Sequence, residues 1–122
     1  MGRYYHGDIQ GKFWVGTQNS DDADFFGSTG YQPETLEYAF YKDEHIDLIN
    51  KGIDECIKEI GTIRERVFEW FEKEEHFYPK QMEEEGIIPS NTNDEWLARL
   101  ELGIRILKCV EENGECYFTA EL

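Results

Sequence analysis

The sequence predicts an α+β fold in which a small antiparallel sheet, built from both chain ends, packs with two long helices. Three observations carry this. Apolar residues alternate near both ends of the chain, and they recur at helical spacing between residues 43 and 112. The 3 Trp, 7 Tyr and 8 Phe supply a core for a chain of 122 residues. That length suits one domain, 1–122, able to bury roughly 65% of the surface its unfolded chain exposes.

Residues 1–42 are expected to form strands and loops. Arg3-Tyr4-Tyr5-His6 and Lys12-Phe13-Trp14-Val15 look like aromatic strands joined by a turn over Gly7–Gly11. Gln18 to Gly30 is rich in Gly, Ser, Asn and Asp, which marks a loop, with Phe25-Phe26 tucked beneath it. From Thr35 to Tyr41 the residues alternate: Leu36, Tyr38 and Phe40 face one way, Glu37 and Ala39 the other, as in a half-buried strand.

From Asp43 the period lengthens to 3.6. Ile46, Ile49, Ile53, Ile57, Ile60, Val67, Phe68 and Phe71 form one stripe of a helix ending near Glu75, with Gly52 and Gly61 as points where it can kink. A connector, 76–93, contains Pro79 and the interrupted stretch Gly86–Ser90. Asn93 or Asp94 can cap a second helix running to about Glu112, stopped by Asn113-Gly114. Residues 115–122 then supply a closing strand through Cys116-Tyr117-Phe118-Thr119-Ala120.

The balance of 12 basic against 27 acidic side chains gives a net charge of −15. That disfavours a duplex-DNA binder, which presents cations to phosphates, and docking on anionic membranes. No apolar run approaches the ~20 residues of a membrane span. Cys56, Cys109 and Cys116 are an odd number without a CxxC pair, so neither a disulfide framework nor a zinc site is signalled, and a reducing cytoplasm is expected. Cys109 and Cys116 lie in apolar surroundings, as packed thiols do. His6, His45 and His76 lack the spacing of a metal-binding motif, and no P-loop, GxGxxG or GxSxG occurs. Asp21-Asp22-Ala23-Asp24 lacks EF-hand spacing, and Glu83-Glu84-Glu85 suits a solvated face. No catalytic constellation emerges, so the chain is expected not to be an enzyme and to need no cofactor or metal.

Helical projection sets two arginines among apolar residues. Arg64 falls mid-stripe on the first helix, where a guanidinium needs a carboxylate or an anion, and a salt bridge is the simpler outcome. Arg99 falls between two apolar arcs of the second helix; its polar face narrows to Glu101, Arg105 and Lys108. A helix apolar over so wide an arc is buried on two sides. A homodimer or higher homo-oligomer is therefore expected, with Gly103 allowing another backbone to approach, unless the helix simply lies at the centre of one subunit.

Guanidinium groups grip phosphates, rings stack on bases, amides read base edges, and a helix N-terminus favours anions. His76-Phe77-Tyr78-Pro79 lies between the helices and Ser90-Asn91-Thr92-Asn93 precedes the second. A nucleotide site is expected in which Phe77 or Tyr78 stacks on a base, Asn91 or Asn93 bonds the base or ribose, and Arg105, with Arg99, meets phosphate. Each residue also has a simpler role: Phe77 in the core, the asparagines as caps, Arg105 as a solvated charge.

The segment Gly2-Arg3-Tyr4-Tyr5-His6-Gly7-Asp8-Ile9-Gln10-Gly11-Lys12-Phe13-Trp14, continuing through Gln18-Asn19-Ser20-Asp21-Asp22-Ala23-Asp24-Phe25-Phe26-Gly27, resembles the opening of the phage Thoeris anti-defence sponge family. The order of elements is similar along most of the chain. The resemblance implies a non-enzymatic protein of a phage or prophage, in the cytoplasm of the infected bacterial host, that sequesters the cyclic ADP-ribose isomer made by a Thoeris TIR protein. Within it, Phe77, Asn91 or Asn93, and Arg105 best suit the ligand site. The rival expectation is an acidic interaction protein that mimics nucleic acid and blocks a basic groove, for which the charge of −15 speaks.

Overall fold

The structure, a computed structural model, describes residues 4–12, 22–27 and 35–121. The expected strand residues Arg3 and Phe13-Trp14-Val15, the loop outside 22–27 and the side chains of Leu36 and Glu37 lie outside the described set. The fold is α+β, with β1 (Tyr4–Gly7), β2 (Gly11–Lys12), β3 (Thr35–Tyr41), α1 (Lys42–Ile60), α2 (Arg64–Glu74), α3 (Pro79–Glu84), α4 (Asp94–Asn113) and β4 (Glu115–Glu121). A 3₁₀ turn, Asp22–Phe26, stands between β2 and β3.

The four strands run antiparallel in the order β2-β1-β4-β3. The last strand is thus central: Tyr5 faces Ala120, and Tyr38 faces Phe118 across the other edge. Period-2 alternation puts Tyr38, Phe40, Cys116, Phe118 and Ala120 on the buried face and leaves Tyr41 and Tyr117 exposed on the other. Stacked rings of Tyr38, Phe40 and Phe118 floor the core.

The expected single helix over 43–75 is two helices. Gly61 adopts the left-handed conformation (φ 82°), which costs a glycine little, and its N–H donates to the carbonyl of Ile57. Ile63 is extended, and α2 starts afresh at Arg64. The break shifts the helical phase, so Arg64 leaves the stripe. It stands half-exposed, 2.7 Å from Asp54 and 2.5 Å from the Oδ1 of Asn50, with its guanidinium over Phe68. The salt bridge expected for Arg64 is present, at the surface rather than in the core. Gly52 introduces no break and is buried within α1.

Helix α4 runs through the middle of the fold. Its N-cap is Asn93, whose side chain accepts the N–H of Glu95, and Gly114 closes its C-terminus. Leu97, Leu100, Gly103, Ile104 and Leu107 are buried, and so are Leu102, Ile106 and Cys109 on the second apolar arc. Helix α1, the 3₁₀ turn, β3 and β4 all pack against α4. Both apolar sides are therefore covered within one chain, and the wide arc gives no reason to invoke a second copy. Gly103 serves an internal contact: a Cβ there would lie 2.5 Å from the ring of Phe26, and one at Gly52 would lie 2.6 Å from the same ring. Phe26, fully buried, is wedged between α1 and α4 where both helices lack a side chain.

The connector is tied to α2 and to the turn between α1 and α2. Trp70 donates its indole N–H to the carbonyl of His76, Thr62 donates to that of Ile87, and Arg66 to that of Gly86. Phe77, Met82 and Ile88 are buried beneath it. Among the described residues, no helix is long and apolar enough to cross a membrane.

Candidate functional site

The polar face of α4 is where chemistry-bearing side chains meet. A groove of about 400 Å³ runs along the C-terminal half of α4, walled by Phe71 of α2, by Glu75 and His76 just after it, and by Asp8 and Ile9 of the β1–β2 turn. Arg105, Lys108 and Cys109 line its floor. The turn is held there because β1 pairs with β4. Asp8 donates its N–H to the carbonyl of Tyr117 (2.7 Å), and its carboxylate accepts the N–H of Tyr117 (2.8 Å). Arg105 completes the clamp by donating from Nη2 to the carbonyl of Gln10. A guanidinium carries five N–H donors, and this contact uses one.

Beneath Arg105, one helical turn earlier, lies Glu101. It is the buried charged side chain among the described residues, 6% exposed. Burial pushes its carboxyl above the usual range; the Arg105 charge, a hydrogen bond and charge from His76, and a backbone hydrogen bond from Phe77 oppose that shift. The imidazole Nδ1 of His76 stands 3.5 Å from Oε1 of Glu101 while most of its ring is in solvent. Lys108 is committed to Glu72 at 2.9 Å and to the ring of Phe71. Arg105 and His76 are thus the cationic and ring-bearing groups at the groove, positioned by a buried carboxylate.

The expected site residues divide into two groups. Phe77 is buried, edge-on to Phe71, so the simpler core role is the one its position fits. Tyr78 is exposed, with its ring 6.5 Å from that of His76, which lines the groove. Tyr78 and Arg105 therefore belong to one region. Asn91 and Asn93 lie apart from it at the start of α4, and Arg99 stands midway between Asn93 and Arg105 along the helix. Asn91 is an exposed turn residue in the left-handed region (φ 62°), which Asn tolerates. The carbonyl oxygen of the Asn93 side chain is engaged in the cap. Arg99 lies over the rings of Phe25 and Trp96, 4.9 Å from each centroid. Along α4, at 1.5 Å per residue, Asn93 stands about 18 Å from Arg105 and Arg99 about 9 Å from it.

Sequence patterning missed Glu101, Asp8 and the two cysteines beside it. Glu101 looked like part of a solvated face with Arg105 and Lys108. The available signal was its position on the helical projection, next to the apolar residue Leu97. Asp8 had none, because its neighbours come from the other end of the chain. No protein-family model, curated protein or solved structure matches the chain.

Proposed function

We propose that this chain is a non-enzymatic binding protein of a phage or prophage that sequesters a cyclic nucleotide signal, a cyclic ADP-ribose isomer, in the cytoplasm of the infected host and so blunts a Thoeris-type defence. One observation carries the reading: a clamped guanidinium, Arg105, shares a groove with His76, whose ring stands 6.5 Å from the exposed ring of Tyr78. A guanidinium holds phosphate through paired N–H donors, and rings stack on a purine. Tyr78 takes the stacking role in place of the buried Phe77. In this reading Asn93, about 18 Å from Arg105 along α4, and Arg99, about 9 Å along and about 120° round the helix, reach the same ligand from a second copy, so a homodimer or larger homo-oligomer belongs to the proposal. Light scattering at micromolar concentration checks that part; a 14.4 kDa particle alone counts against it.

A second reading is supported by a different surface. Many carboxylates of α1 to α3, among them Asp47, Asp54, Glu65, Glu69, Glu72 and Glu83, are exposed. An acidic protein of this kind suits a mimic of nucleic acid that occupies a basic groove. Mass spectrometry separates the readings. The protein is expressed beside an active TIR-domain enzyme, purified and heated. Release of an intact cyclic ADP-ribose isomer supports sequestration, a cleaved product means an enzyme, and no nucleotide favours the mimic.

A further inference from the structure

Two cysteines and an aspartate that are unrelated in sequence pattern come together at the end of the groove. Asp8 of the β1–β2 turn, Cys109 of the last turns of α4 and Cys116 of β4 bring a carboxylate oxygen and two sulfurs within 4.8 Å of one another. The tight exit of α4 through Gly114 folds Cys116 back beside Cys109, and the pairing of β1 with β4 delivers Asp8. We propose that these three side chains form a binding site for a thiophilic divalent cation of the zinc class.

The donor set is the first support. Two thiolates with one carboxylate suit a borderline-soft ion such as Zn²⁺; magnesium and calcium prefer oxygen alone. Spacing is the second. With Zn–S near 2.3 Å and Zn–O near 2.0–2.2 Å, a tetrahedral centre sets its ligand atoms about 3.5–3.8 Å apart. The trio lies within about one ångström of that, which small side-chain rotations close.

Support around the ligands is the third. The Tyr117 N–H fixes one carboxylate oxygen of Asp8 and leaves the other for a metal. The Asn113 amide lies 3.8 Å from the sulfur of Cys109. Such outer contacts orient ligands and favour their charged forms. Three anionic ligands outweigh a dication by one charge. Cys116 is fully buried, whereas Asp8 and Cys109 line the groove, so the fourth coordination position faces the groove and takes water or an anionic group. The site does not depend on the nucleotide reading.

Cobalt(II) is the probe. Titrated into the full chain, reduced with a phosphine, Co²⁺ should bind at one equivalent with the thiolate-to-cobalt charge-transfer band and the intense visible bands of a tetrahedral centre. Zn²⁺ should bleach both. Cys109→Ser and Cys116→Ser should each lose the two-thiolate spectrum, while Cys56→Ser, whose buried sulfur is in α1, should retain it. Asp8→Asn leaves the core untouched and can still accept the Tyr117 N–H. It should bind Co²⁺ more weakly while keeping the thiolate band at saturation. Absence of the charge-transfer band in folded, reduced protein, its survival in Cys109→Ser, or unchanged affinity in Asp8→Asn would overturn the assignment.

Discussion

On one side of α4, Gly103 meets the ring of Phe26 and the side chain of Ile53, with no polar atom among its nearest contacts. On the opposite side, about 160° round the helix, Arg105 reaches the backbone of the β1–β2 turn over the buried carboxyl of Glu101. The first side is a dry contact governed by shape, where two glycines leave room for one ring. The second is a polar contact governed by charge and hydrogen bonding, where a carboxylate is kept from water. The difference explains why one helix can carry both the stability of the fold and its candidate chemistry: changes on one side need not disturb the other.

The comparison is broken most severely at Phe26. Phe26→Ala should cost about 3–5 kcal/mol in urea unfolding, because the ring fills a gap that two backbones cannot close. Gly103→Ala tests the same contact from the helix. In an open helix Ala would gain about 1 kcal/mol over Gly. Here the added Cβ overlaps Phe26, so a net loss of about 1–3 kcal/mol is expected. A stabilised Gly103→Ala protein would show that the wedge is loose.

On the polar side the effects are smaller and depend on pH. Because burial raises the Glu101 carboxyl above its ordinary value of 4.5, the folded state favours its protonated form. Folding stability from this group therefore falls as pH rises from 4.5 to the raised folded value, and is lowest above it. Glu101→Gln removes that penalty. Its melting temperature should exceed that of the wild type at neutral pH, and the gain should vanish below pH 4.5. A neutral-pH loss would mean that the pairing with His76 and Arg105 outweighs desolvation. Arg64→Ala should matter least, at most about 1 kcal/mol, since its pair with Asp54 is half-exposed at the surface.

What the sequence made legible follows from the range of the interactions. The alternation of Tyr38 and Phe40 marks β3, and Asn93 and Gly114 mark both ends of α4, because strands, caps and stops are local chemistry. Gly61 was visible as a weak point, but a kink keeps the helical phase whereas a left-handed residue resets it, which is why Arg64 left the core. The wide apolar arc of α4 was visible too. Its cover is the chain's own α1, 3₁₀ turn and sheet, and a pattern cannot say whether a neighbour belongs to the same molecule. The groove was least legible. Tyr78 and Arg105 are singled out by residue type, and Glu101 and Cys109 lie one turn either side of Arg105 on α4, but Asp8 joins them only through the central placement of β4, which pairs the chain's two ends.

Unfolding and ligand titration on a single variant, Arg105→Ala, test the division of α4 most directly. With the cyclic ADP-ribose isomer as titrant, calorimetry should show binding weakened roughly tenfold to a hundredfold, the loss of one charge-assisted contact. In the same protein, urea unfolding should stay within about 1 kcal/mol of the wild type, as a partly exposed guanidinium allows. Wild-type affinity together with a large loss of stability would contradict the division, making Arg105 a structural clamp and removing the groove as the ligand site.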